Sequence, residues 1–315
     1  MRVVLRRLLS AIPTLLLVLL LAMLLLEATP GDPARVIAGD AASDEDVAVV
    51  RERLGLDEPL VGRYLDYARG AVVGDLGESF RDGQPVASSI ARTLPVTASL
   101  GIVSLLLAVA FAVPAGVVAA VRRNGLVDRA LTAVGAIFVA VPPFVVALVL
   151  VVLFSIDRNW LPATGYVKLS DDPLEWLRHI ALPCVALALP SAAELARQLR
   201  GSMVDVLQED YINTQFAKGL RRRAIIGKHV AKNAAAPVVT VLGVQAGRIL
   251  GGVVIIESLF VIPGFGNLVY LAVLGRDFPV VQGAVLVSAL VVVVVNLLVD
   301  LSYLYFDPKL RSDGS

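Results

Sequence analysis

The chain has 315 residues, 57% of them hydrophobic and 17% charged, with a formal net charge of +1 and a mean hydropathy of +0.79. That apolar content exceeds what one soluble core can hide, so lipid must be part of the solvent, and so balanced a charge gives no signal for nucleic acid. A single cysteine, Cys184 in an apolar run, excludes an intramolecular disulfide, a CxxC pair and a cysteine-based zinc site.

A helix needs about 20 mostly apolar residues to cross a hydrocarbon core about 30 Å thick. The first such run, residues 8–26, follows Arg2, Arg6 and Arg7. It is longer than the apolar core of a signal peptide, and Glu27-Ala28-Thr29-Pro30 lacks a small-x-small cleavage site, so it reads as a retained anchor helix. Residues 29–92 then form a long connection with acidic clusters at Asp44-Glu45-Asp46 and Asp57-Glu58. Uncharged intervals at 93–121, 130–156 and 278–299 each read as a spanning helix. Two interrupted segments complete the set: 180–193 extended to Arg197, and 233–256, which contains Arg248. Pro114, Pro142, Pro143, Pro183 and Pro190 lie within or beside these segments and read as kinks.

The prediction is an all-α membrane protein with six spans. Residues 1–94 form an anchor helix plus external loop, and residues 95–315 a five-helix core with a basic loop at about 198–234. Lys and Arg in short loops set the orientation. Arg2, Arg6 and Arg7, then Arg122, Arg123 and Arg129, then eight basic residues between Arg197 and Lys232 place those sides in the cytoplasm, with both termini. The 29–92 connection, and those at 157–178 and 257–277, face outside.

The basic loop has internal pattern. Residues 211–218 have helical composition, Gly219 and Leu220 interrupt them, and Ile225, Ile226 and Val230 resume apolar spacing with cations opposite. Two short helices with a glycine turn between them are predicted. Asp210-Tyr211, Ala217-Lys218-Gly219-Leu220, His229, Asn233 and Pro237-Val238-Val239-Thr240-Val241-Leu242-Gly243 together resemble the cytoplasmic signature loop of binding-protein-dependent ABC permeases of the dipeptide, oligopeptide and nickel group. The resemblance runs through Arg6-Arg7-Leu8-Leu9, Ile12-Pro13-Thr14, Pro30-Gly31-Asp32-Pro33, Leu54-Gly55-Leu56-Asp57, Tyr64-Leu65, Gly74-Asp75-Leu76-Gly77, Ser79-Phe80, Asn296-Leu297-Leu298-Val299-Asp300 and Asp307-Pro308.

That resemblance implies a permease subunit of an ATP-driven importer, carrying peptides, nickel or another small solute across the bacterial cytoplasmic membrane. It implies a second homologous permease, two cytoplasmic ATPases that bind ATP and Mg, and an extracytoplasmic solute-binding protein. Asp210, Tyr211, Ala217, Lys218, Gly219, Leu220 and Arg222 would then form a coupling helix seated on an ATPase, whose closure opens the pathway outward. Gln215 and Phe216 depart from the pattern, which has a small residue and commonly a basic one there.

On the fifth span, Gly243, Gly247 and Gly251 recur every four residues, a ridge that lets another helix approach closely. Gln245, Arg248 and Gly252 fall on roughly the opposite face and are candidates for a translocation path. Arg248 is about 13 Å along the axis and half a turn from Glu257, so these two do not pair locally. Two readings stand for Arg248: a structurally paired or snorkelling side chain, and a residue lining the path. Glu194 and Arg197, three apart, can pair on one helical face, and Asn296 and Asp300 share a face of the last span.

Nothing in the chain points to catalysis. HExxH, GxSxG and GxxxxGK[ST] are absent, Gly264-Phe265-Gly266 reads as a turn, and His179 and His229 have no metal-ligand spacing. A secondary transporter is the alternative on physics alone; the basic two-helix loop is what separates the two.

Overall fold

The computed structural model describes residues 2–28, 33–38, 42–53, 55 and 57–306, and among these it forms thirteen α-helices and two π-helical turns, Val151–Ile156 and Ile225–Val230. Among these residues the only strand-like pairing is an isolated bridge between Glu78 and Pro85. Leu54, Leu56, Asp307-Pro308 and most of the Pro30-Gly31-Asp32-Pro33 motif lie outside the described residues.

The apolar N-terminal run forms α1 (Arg2–Glu27), and the following connection is itself helical, with α2 (Pro33–Ala38), α3 (Asp44–Arg53) and α4 (Leu60–Val72). Ser43 explains the start of α3. Its hydroxyl accepts from the Asp46 amide at 3.2 Å, and the Asp46 carboxylate accepts from the Ser43 amide at 3.1 Å, a reciprocal cap. The remaining helices are α5 (Val86–Val121), α6 (Leu126–Ala140), α7 (Pro143–Leu150, continued by a π-helical turn Val151–Ile156), α8 (Pro173–Leu207), α9 (Asp210–Ala217), α10 (Arg222–Ala224), α11 (Ala231–Leu259), α12 (Phe265–Leu274) and α13 (Phe278–Phe306). Pro173 at the first turn and Asp172, whose carboxylate accepts from the Leu174 and Glu175 amides, set the start of α8.

Three described helices are long and apolar enough to cross a membrane: α5, α8 and residues 278–299 of α13. The count rises to five if each of two bent pairs is one span. The apolar stretch of α1, Leu9–Leu25, is shorter. The interval 130–156, expected as one spanning helix, is instead broken, with α6 and α7 meeting at 103°. Val141 and Pro142 are both extended, at ψ 126° and 142°. The ring of each proline drives the preceding residue out of the α region, and neither proline has an N–H to carry the helical ladder across. The second bend, 47°, lies between Pro237–Ile249 and Gly251–Leu259 of α11.

The chain divides into two compact units. The first comprises residues 1–96 and 263–294. Within it α4 lies against α1, tied by Arg63 to Glu27 at 3.2 Å and by the Tyr64 hydroxyl to the Leu16 carbonyl at 3.1 Å. Its core gathers Leu76, Val86, Ile90, Phe265, Val280 and Ala284. Buried Asp277 closes it, accepting from the Ser79 hydroxyl at 2.5 Å and the Phe80 amide at 3.1 Å.

The second unit comprises residues 97–262 and 295–315, with α8 at its centre against α6, α7 and α11. Gly116 of α5 brings backbones together: a Cβ there would meet the Ala196 carbonyl of α8 at 2.9 Å. Ala108, Ala112, Ala188 and Ala192 fill the same seam with small side chains. Thr97 donates to Glu257, which is fully buried.

Candidate functional site

Two sites in the second unit take up the residues singled out by sequence. The first is a polar cluster on the facing sides of α8 and α11. Glu194 interrupts the apolar face of α8 and accepts, through Oε2 alone, from Gln245 Nε2 at 2.8 Å and Arg248 Nη1 at 2.7 Å. Gln245 is 3% exposed, whereas the Arg248 side chain is 62% exposed and that of Glu194 26%. The cluster borders a cavity of about 180 Å³ whose lining includes Gln245, Arg248 and Gly252. Ser191 and Glu194 come to it from α8, and the residues at the α6–α7 break supply Val139 and Pro143.

The expected pairing of Glu194 with Arg197 does not form. Arg197 is exposed and makes no ion pair among the described residues, because Glu194 turns across to α11. An uncompensated charge on a span costs at least about 2.5 kcal/mol on insertion scales, and the Arg248 guanidinium offers Glu194 an opposite charge at 2.7 Å. Arg248 therefore satisfies parts of both readings: it is paired, and it lines a cavity.

The glycine ridge divides. A Cβ on Gly243 would collide with the Val299 side chain of α13, so this glycine permits a close helix approach. Gly247 and Gly251 are exposed, and a Cβ on either would meet nothing within 4 Å. Asn296 is exposed, and the side chain of Asp300 lies outside the described residues.

The second site is the basic loop, where the short helix α9 and the glycine turn form as expected, but the second helix is not a separate short one: α10 continues through a π-helical turn, Ile225–Val230, directly into α11. In α9, Asp210 begins the helix, Tyr211 is 39% exposed and Ile212 is buried. Ala217 ends it and Lys218 follows. Gly219 then takes φ +75°, a left-handed conformation that reverses the chain into Leu220, Arg221 and Arg222 of α10. Ile212, Ile225 and Val230 form a buried cluster with Leu199, Met203 and Ala234, which seats the loop on the ends of α8 and α11. Asn233 of α11 donates to the Tyr211 hydroxyl at 2.7 Å. Phe216 and Leu220 remain exposed beside Lys218 and Arg222, so the loop presents an apolar and cationic outer face. Gln215 is half-buried.

Sequence reasoning passed over two charged contacts of this unit. Arg200 binds Asp128 across 72 residues, and Glu194 binds Arg248 across 54. Each pair joins residues on two different helices, and periodicity shows only neighbours on the same helix. No group of three or more His, Cys, Asp or Glu side chains that could hold a metal occurs among the described residues.

The chain belongs to the family described as the binding-protein-dependent transport system inner membrane component, which matches residues 112–312, and the corresponding N-terminal family matches residues 1–101. It is 42% identical over 308 residues to a probable peptide ABC transporter permease of Sinorhizobium fredii, covering 98% of each chain. It is 41% identical to a glutathione transport system permease of Escherichia coli, again over 98% of each. A putative peptide transport system permease of Brucella abortus is also 41% identical, over 98% of this chain and 99% of that one. Among solved structures, the methionine ABC transporter MetNI in inward-facing conformations shares the fold, with a TM-score of 0.59, 16% identity and coverage of 70% of this chain and 96% of that one. The family resemblance drawn from the basic loop is thus borne out.

Proposed function

We propose that this chain is one of two permease subunits of an ATP-driven peptide importer in the bacterial cytoplasmic membrane. The observation that carries the reading is the short helix α9 with the Gly219 turn that leads into α10. It is anchored to α8 and α11 by a buried apolar cluster and turns an exposed face of Tyr211, Phe216, Lys218, Leu220 and Arg222 away from them. A short helix fixed to two spans and bare on its outer side is suited to transmit motion from a cytoplasmic partner to those spans. Relatives whose names specify peptides and glutathione, itself a tripeptide, support a peptide as the solute.

In this reading two separate ATPases bind ATP and Mg, one docking on α9 through Asp210, Tyr211 and the Ala217–Leu220 turn. A homologous permease completes the path, and an extracytoplasmic binding protein delivers the solute. Six spans place both termini in the cytoplasm, with α1 the first, the bent α6–α7 pair the third and α11 the fifth. Gln245, Arg248 and Gly252 face the path.

The test is reconstitution of the complex in liposomes with its ATPases, partner permease and binding protein. Peptide uptake and peptide-stimulated ATP hydrolysis should require every component, and the isolated chain should hydrolyse no ATP. Hydrolysis by this chain alone, or uptake driven by an ion gradient without ATP, would overturn the assignment.

A further inference from the structure

The Glu194–Arg248 pair is incomplete in an informative way. Both Gln245 and Arg248 bond to one carboxylate oxygen, Oε2, and Glu194 Oε1 makes no hydrogen bond among the described residues. Arg248 has five N–H donors and commits one nitrogen, Nη1. A purely structural Arg–carboxylate pair on a span would ordinarily close fork to fork, with two parallel bonds, as Arg200 and Asp128 do in this same unit. Buried Gln245 and the guanidinium converge on the same oxygen, the guanidinium through a single nitrogen, and its remaining edge is left unused.

That edge belongs to a residue bordering the cavity, whose walls are otherwise largely apolar, with Val139, Pro143, Leu187 and Ile249 among them. At about 180 Å³ the space is below the size that encloses a whole small-molecule ligand, and it fits an end group. We propose that Arg248 is a carboxylate subsite: the free edge of its guanidinium receives a terminal carboxylate of the solute, while Glu194 serves as the resident counter-ion, held in place by Gln245, that keeps Arg248 neutralised between solutes. The single-nitrogen bond to Glu194 is weak enough in geometry to coexist with, or yield to, a bidentate carboxylate. The identity of the solute rests on the importer reading; the preference for a carboxylate does not.

Gly252, one turn beyond Arg248, offers a reporter position, because a Cβ there meets only the Leu187 side chain at 3.8 Å. In the assembled complex carrying Cys184→Ala and Gly252→Cys, labelling at position 252 is followed by mass spectrometry with two methanethiosulfonates, one bearing a sulfonate and one a trimethylammonium group. Relative to their rates with a free thiol, the sulfonate reagent should be faster by at least about tenfold. N-acetyl-alanyl-alanine should slow the labelling, and alanyl-alanine amide should not. Arg248→Gln should abolish both the preference and the protection, whereas Glu194→Gln should increase the preference. If Arg248→Gln assembles poorly, the Glu194→Gln/Arg248→Gln double variant, which leaves no unpaired charge, must show the same loss. Equal reagent rates, or protection that survives removal of Arg248, would overturn the subsite. Peptide-stimulated ATP hydrolysis, measured separately, distinguishes this from failure of the importer reading: its absence would overturn peptide import and leave a carboxylate-protected position 252 standing.

Discussion

Arg200 holds Asp128 by two nitrogens at once, Nε at 2.5 Å from Oδ1 and Nη2 at 2.6 Å from Oδ2. Asp128 is 3% exposed and also accepts from the Asn124 amide at 2.9 Å, so one carboxylate ties the start of α6, the turn before it and α8 together. Removing one partner of such a pair strands a buried charge, at a cost of about 3 kcal/mol. Arg200→Ala is therefore expected to lower the melting temperature of the purified complex clearly, and Asp128→Asn/Arg200→Gln to recover part of the loss. An Arg200→Ala protein as stable as the wild type would show the pair to be dispensable.

Gly219 combines a left-handed backbone, φ +75°, with open space, since a Cβ there meets nothing within 4 Å. Within this chain, a substitution costs conformation and no clash, about 1–2 kcal/mol for a residue that resists the left-handed region. Gly219→Val should insert normally yet lose transport and solute-stimulated hydrolysis together, and Gly219→Asn, which tolerates that region, should keep most of both. Normal transport by Gly219→Val would remove this turn from the coupling element.

The three ridge glycines of α11 should separate in stability measurements. Gly243→Ala forces its Cβ into Val299, an overpacking cost of about 1–3 kcal/mol that Val299→Ala should relieve. Gly247→Ala and Gly251→Ala meet no atom of this chain and replace a poor helix former by a good one, so the chain's own stability should hold or rise by up to about 1 kcal/mol. Thermal unfolding of the three single variants and the Gly243→Ala/Val299→Ala pair checks the order, and equal destabilisation by all three would contradict it.

The proposed six-span arrangement makes a compartment prediction. A reporter inserted between residues 41 and 57 should be active outside the cytoplasmic membrane, and one at Arg222 inside. The same compartment for both would require a different number of spans between α3 and α10.

The all-helical apolar character, the short helix and glycine turn of the basic loop, and the family were legible in the sequence because each rests on local chemistry. Apolar run length reports what lipid can accept, and Gly219 between two amphipathic stretches marks a turn wherever it occurs. Composition likewise put Gln245, Arg248 and Gly252 on one face of a helix by periodicity alone. The local method failed where a partner or a direction came from elsewhere. Residues 130–156 read as one apolar interval, and although Pro142 and Pro143 marked a kink, its size of 103° and the packing of α6 and α7 against α8 beside the cavity are set in three dimensions.

Glu194 shows the division most directly. Its charge on an apolar helix was visible, and the neighbour at helical spacing, Arg197, was the partner that sequence distance favoured. The chain instead brings Arg248 to it from 54 residues away, while Arg197 stays exposed. Which side chains are costly to leave unpaired in lipid follows from their chemistry and is readable from the order of residues. Which partner each one found was decided only in three dimensions, because the strength of an ion pair depends on the distance and orientation of its groups and not on their separation along the chain.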